Sequence, residues 1–98
     1  MEIQIVIIGA GGLARDVVDI FHALNQQKPG SYKVLGYIVE DAYGEPGTLV
    51  YDKPILGGFD WLTGRLDEIE LICAVGISED RYRLAGKAAA LGAIPSSI

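Results

Sequence analysis

The chain has 98 residues, half of them hydrophobic and 21% charged, which fits one folded domain spanning residues 1–98 and excludes an intrinsically disordered chain. A net charge of −5 and the lack of any Lys/Arg cluster argue against nucleic acid as a partner. The single cysteine, Cys73, excludes an internal disulfide and a cysteine-based zinc site, and no apolar run approaches the roughly 20 residues of a helical membrane span.

The first element is the β-branched run Ile3-Gln4-Ile5-Val6-Ile7-Ile8, read as a strand buried on both faces, as in a parallel sheet. It enters Gly9-Ala10-Gly11-Gly12-Leu13-Ala14, which fits G-x-G-x-x-A at Gly9, Gly11 and Ala14. In such a turn the first glycine permits a tight bend, the second admits a ligand phosphate to the backbone, and the third small residue lets helix and strand pack closely. The first amides of the following helix have no intrahelical acceptor and add to its dipole, so the turn is a candidate anion site of a Rossmann-like fold.

The helix is expected from about Gly12 to Gln26, with Leu13, Val17, Ile20, Phe21 and Leu24 toward the sheet and Arg15, Asp19, His22 and Gln26 solvated. His22 is the only histidine and reads as a surface residue, a poor catalytic candidate without a partner. After the loop Lys28-Pro29-Gly30-Ser31, Tyr32 to Val39 reads as a second strand ending at Glu40-Asp41. A carboxylate there is where a Rossmann domain grips a ribose hydroxyl, so Glu40 or Asp41 is a candidate ligand contact. Residues 42–53 are rich in turn formers and read as a surface excursion with a short extended piece near Thr48–Tyr51. Pro54-Ile55-Leu56-Gly57-Gly58 follows, then a short helix, Phe59 to Leu62, whose Phe59 and Leu62 pack inward with Trp61 at the edge.

Glu70 to Gly76 reads as a third buried strand, with Cys73 as a small core hydrophobe. Ser78 is a candidate N-cap for a helix running to about Leu91, closed by Gly92, and Arg81 in its first turn lies within reach of the strands' carboxyl ends. Ala93 to Ile98 ends the chain on apolar residues, either as a last strand or just before another domain. Alternating strands and helices with right-handed crossovers predict an α/β fold: a small parallel sheet in the order 2-1-3, helices on both faces, and a possible short extra strand. The crevice between the first and third strands is then the binding position.

Four stretches in this order, Gly9 to Asp16, Gly36 to Asp41, Pro54 to Gly58 and Ala74 to Arg81, resemble one family closely. It is the N-terminal domain of bacterial sugar O-acyltransferases of the sialic-acid O-acetyltransferase type, which includes enzymes that N-acetylate UDP-4-amino-sugars. The resemblance covers nearly the whole chain. It implies a Rossmann-like domain that binds a nucleotide-sugar, a UDP-sugar, for surface polysaccharide or glycan biosynthesis. A left-handed β-helix of hexapeptide repeats follows in that family; it binds acetyl-CoA, forms a homotrimer and carries the catalytic histidine. By resemblance, Gly9, Gly11, Gly12 and the amides of Leu13 and Ala14 face the pyrophosphate, Glu40 approaches the ribose or base, and Gly76, Ile77 and Ser78 line the opposite wall. The expectation is a truncated or stand-alone cytoplasmic domain that binds the acceptor sugar but does not transfer acetyl groups, with no metal, no cofactor of its own and no membrane contact. The alternatives are an NAD(P)-binding domain of an oxidoreductase and a non-catalytic regulatory or assembly module.

Overall fold

A computed structural model describes residues 2–40, 44–74, 86 and 96–97. The predicted end of the third strand at Val75–Gly76, the helix from Ser78 to Leu91 and the residues Asp41, Gly76, Ile77, Ser78 and Arg81 lie outside these described residues.

β1 (Ile3–Ile8) leads through the glycine turn into α1 (Gly12–Gln27), which returns to β2 (Tyr32–Ile38). β3 (Leu49–Val50) and β4 (Lys53–Gly57) follow, then two short 3-10 turns at Phe59–Leu62 and Leu66–Glu68, then β5 (Glu70–Cys73) and β6 (Ser96–Ser97). Among the described residues the strands form one sheet in the order β3-β4-β2-β1-β5-β6. All neighbours are parallel except the β3–β4 hairpin. The predicted order of the three long strands is therefore present as β2-β1-β5, and the chain's last residues do supply a strand.

Successive side chains of β1 point to opposite faces, and two core clusters result. Ile5 and Ile7 pack with Ala14, Val17 and Phe21 of α1 and with Val34 and Tyr37 of β2. Val6 and Ile8 pack on the other face with Ile38, Leu62 and Leu71, joined by Phe59, Trp61 and Leu66 of the 3-10 turns. Each fully buried aliphatic side chain of this kind contributes about 1.5–3 kcal/mol, so β1, buried on both sides from Ile5 to Ile8, carries much of the core.

The connection from α1 into β2 is fixed by Asn25. Its amide nitrogen donates to the Tyr32 carbonyl at 2.8 Å and its amide oxygen accepts from the Tyr32 N–H at 2.9 Å. The Phe21 and Tyr32 rings meet at 5.0 Å beneath this bridge.

Two expectations are corrected. Ile20 and Leu24 do not face the sheet; they are 47% and 38% exposed. The buried line of α1 is Ala14, Val17 and Phe21, and at about 100° per residue Ile20 and Leu24 fall on one flank of that line rather than on it. Lys53, expected as the end of the surface excursion, and residues 54–57, to which the sequence assigned no element, form a sheet strand, β4, beside β2. Gly36 makes this possible: β2 carries a register shift there, Gly36 has φ +151°, and a Cβ would run into the Pro54 carbonyl oxygen of β4.

Candidate functional site

The sheet topology creates a switch point at β1. From β1 the chain crosses through α1 to β2 on one side, whereas β5 and then β6 lie on the other. Ligands of open α/β sheets bind beyond the carboxyl ends of the strands at such a point.

The glycine turn rises from this crevice. At its base the Gly9 N–H donates to the Ile38 carbonyl and the Ala74 N–H donates to the Ile8 carbonyl, each at 2.9 Å, so both neighbouring strands lace the end of β1. Gly9 sits at φ +102°, a conformation that side chains rarely adopt. Gly11 is the N-cap of α1, and the first i→i−4 bond runs from the Arg15 N–H to the Gly11 carbonyl at 3.2 Å. The amides of Gly12, Leu13 and Ala14 precede that bond and have no intrahelical acceptor. Among the described residues no side chain caps them, and no acidic residue stands in the first turn.

Gly11 and Gly12 differ from Gly9 in an informative way. Gly11 has φ −89°, open to any residue, and a Cβ at either position would meet nothing within 4 Å. Neither backbone strain nor packing demands glycine at 11 or 12, and both are exposed. Leu13 is half-buried against the α1 face of the core, and Ala14 is fully buried there. The turn is thus exposed at Gly11 and Gly12, where the amides lack intrahelical acceptors, while Leu13 and Ala14 anchor the helix.

Glu40 lies two residues beyond β2 and is half-buried. Val39, between them, is held by its N–H to the Gly57 carbonyl at 3.1 Å. The structure therefore gathers Gly9, Gly11, Gly12, Leu13 and Ala14 in one turn and sets Glu40 at the end of the adjacent strand. Gly76, Ile77, Ser78 and Arg81 are outside the described residues.

Sequence reasoning missed a second concavity. A groove of about 980 Å³ runs between one flank of α1 and the β3–β4 hairpin, lined by Arg15, Asp19, His22 and Asn25 on the helix, Tyr32–Val34 on β2 and Tyr51–Lys53 on the hairpin. Its signal was available: Tyr51-Asp52 is a two-residue link between short extended stretches, which is hairpin spacing. Arg15 lies 5.8 Å above the Tyr51 ring. His22 is exposed, its ring nitrogen 3.3 Å from the Gln26 amide. Cys73 is a buried free thiol.

Among the described residues no helix is long and apolar enough to cross a membrane, and no group of three or more His, Cys, Asp or Glu side chains is poised for a metal ion. No curated protein and no solved structure matches the chain. Residues 4–88 match the family model of the PglD N-terminal domain. That match spans most of the chain, including the glycine turn, Glu40 and both faces of the core; the protein belongs to the family of N-terminal domains of PglD-like acetyltransferases.

Proposed function

We propose that the chain binds a nucleotide-sugar, a UDP-sugar, as the acceptor-holding domain of an acetyl-CoA-dependent sugar acetyltransferase. The observation that carries this reading is the pair Gly11 and Gly12: two glycines that the fold itself does not require, beside uncapped amides at the start of a helix. Side chains there would stand where a diphosphate approaches the backbone. On this reading Glu40, at the end of β2, takes the ribose hydroxyls or the base, and the family resemblance assigns Gly76, Ile77 and Ser78 to the opposite wall.

The role assigned to these 98 residues is binding rather than transfer. Attack on a thioester needs a general base near the acceptor amine or hydroxyl. His22 is exposed on α1, and among the described residues its ring nitrogen meets the Gln26 amide; on this reading it does not serve as that base. Acetyl-CoA, the catalytic histidine and trimer formation belong, on this reading, to a β-helix domain.

Calorimetric titration of the chain with a UDP-sugar and with NAD tests the proposal. Heat from the UDP-sugar with silence from NAD supports it. NAD binding alone makes the chain a dinucleotide domain, and silence from both in a folded sample makes it a module with an empty crevice. Gly11→Val leaves the fold intact and abolishes binding; unchanged affinity refutes the phosphate turn.

A further inference from the structure

A single peptide group ties the glycine turn to the end of β4. The Ile38 carbonyl accepts from the Gly9 N–H at 2.9 Å, and the N–H of the same peptide, that of Val39, donates to the Gly57 carbonyl at 3.1 Å. Gly9 follows the last residue of β1 and Gly57 is the last residue of β4; their φ angles are +102° and +150°. β4 reaches the shared peptide through a bulge: Tyr37 pairs with Ile55 but Ile38 with Gly57, one extra residue on β4 over that step. Bulges recur beside active sites, where they re-aim a residue or end a pairing. Space does not demand glycine at 57, since a Cβ there would stand 3.6 Å from the Trp61 Cβ, an ordinary contact. The conformation demands it, and in that conformation the carbonyl meets the Val39 N–H.

We propose that Gly57 is a positioning residue for the bound ligand: through the Val39 N–H, its carbonyl sets where Glu40 stands relative to the glycine turn. The proposal rests on the nucleotide-sugar reading above and names the residue that spaces that reading's two contacts. Glu40 follows Val39 directly and lies two residues beyond the end of β2. Val39 has two anchors. Its side chain is buried with Tyr37 and Ile55 in the core beneath α1, which fixes its place but leaves its backbone free to pivot. The N–H bond to Gly57 orients the peptide plane, and with it the direction in which the chain leaves toward Glu40. The other side of that plane holds Gly9, so the turn and Glu40 share one frame across β1, β2 and β4, neighbours in the sheet at about 4.8 Å per strand. A ligand that bridges the turn's amides and Glu40 needs that span held to about half an ångström.

The unsubstituted chain, Gly57→Ala, Glu40→Gln and the double variant are titrated with UDP and with inorganic pyrophosphate, and thermal melting confirms that each is folded. UDP affinity is expected to fall about tenfold in each single variant, the worth of a hydrogen bond to a carboxylate that is lost or misplaced, and no further in the double variant. Pyrophosphate, which needs only the turn, is weakened in none. A Gly57 that serves the fold alone weakens both ligands, or adds its loss to that of Glu40→Gln; either result, or unchanged UDP affinity in Gly57→Ala, overturns the proposal. If Gly57→Ala does not fold, amide exchange in the unsubstituted chain decides. By linkage, bound UDP slows exchange of the Val39 N–H about tenfold more than bound pyrophosphate does, and equal slowing overturns the proposal. If Glu40→Gln binds UDP as the parent does, the positioning role falls and the phosphate turn stands; if the unsubstituted chain binds no UDP, the nucleotide-sugar reading falls with it.

Discussion

The Tyr37 hydroxyl donates to the Val50 carbonyl across 2.8 Å, joining the central strand β2 to the β3–β4 hairpin at the edge of the sheet. The Tyr37 side chain is fully buried, so its hydroxyl is fixed in place, and the bond, itself only partly buried, holds the hairpin to β2. Tyr37→Phe removes the donor and leaves the Val50 carbonyl short of a partner. The expected loss is about 1 kcal/mol, which lowers the melting temperature by roughly 4–8 °C in a domain of this size. Differential scanning calorimetry reads it; an unchanged melting temperature would show that the hairpin needs no such tether.

The same residue sets a limit in alkali. Burial, with smaller contributions from Tyr51 and Asp52, raises the Tyr37 hydroxyl from the usual 10 to about 12. Below the lower value both folded and unfolded chains hold the proton, and the contribution to stability is complete. As pH rises between those values the unfolded chain releases its proton while the folded chain keeps it, so stability falls and the contribution is gone above the higher value. Urea denaturation across that window should show the decline in the unsubstituted chain and a shallower one in Tyr37→Phe. Parallel curves would mean that Tyr37 ionises equally in both states.

At Gly36 the β4 strand occupies the space that a side chain on β2 would need. The Gly36 φ of +151° and the adjacent Pro54 carbonyl and Leu56 side chain leave no room for a Cβ, with Leu56 Cγ at 2.9 Å. Gly36→Ala must either rotate the backbone or push β4 away. The expected cost is about 3 kcal/mol or more, from backbone strain and overpacking together. A melting temperature within a few degrees of the parent would mean that the edge strands shift freely.

The contrast between β1 and β4 explains what was legible in the sequence. β1 is apolar and β-branched at every position but Gln4, and its last four residues are buried, the pattern that burial on both faces demands, so strand and position are written together. β4 has only Ile55 fully buried and carries Pro54 opposite Leu49 of the two-residue edge strand β3, a residue type that argues against a strand in the sequence; its place beside β2 depends on Gly36, where a Cβ would run into the Pro54 carbonyl. The face of α1 was half legible. Val17 and Phe21 are core residues, but periodicity alone does not say how wide a stripe the sheet will cover, and Ile20 and Leu24 fall outside it. At the site, the glycine turn was legible because its chemistry is local. The Arg15–Tyr51 contact, in the groove toward the amino ends of the strands, was not, because it joins α1 to a hairpin through tertiary packing.

Gly11→Asp separates the fold's needs from the ligand's. Gly11 is the N-cap of α1 with φ −89°, and a Cβ there meets nothing within 4 Å. An aspartate is among the best N-caps and satisfies one of the bare amides, so the variant is expected to be as stable as the parent or more stable by a few tenths of a kcal/mol. Its carboxylate then occupies the amides that the proposed diphosphate uses and repels the phosphates. Nucleotide-sugar affinity should fall more than about a hundredfold, a cost near 3 kcal/mol on the affinity scale. A stable variant that still binds would move the ligand away from this turn.

The hairpin turn offers the opposite experiment, one in which stability rises. Tyr51 and Asp52 both occupy left-handed conformations, which cost an ordinary residue about 1–2 kcal/mol each. A two-residue turn of this type favours Asn followed by Gly. Replacing the pair by Tyr51→Asn and Asp52→Gly removes most of that strain while leaving the Tyr37 bond to the Val50 carbonyl in place, since it uses only the backbone of Val50. Glycine gives back part of the gain through the greater freedom of the unfolded chain, and the lost contact between Arg15 and the Tyr51 ring gives back a further 0.5–1 kcal/mol or so. The net expectation is a gain of about 1 kcal/mol, or roughly 4–8 °C in melting temperature. A double variant that melts lower than the parent would show that the Tyr51 ring is held by more than its contact with Arg15.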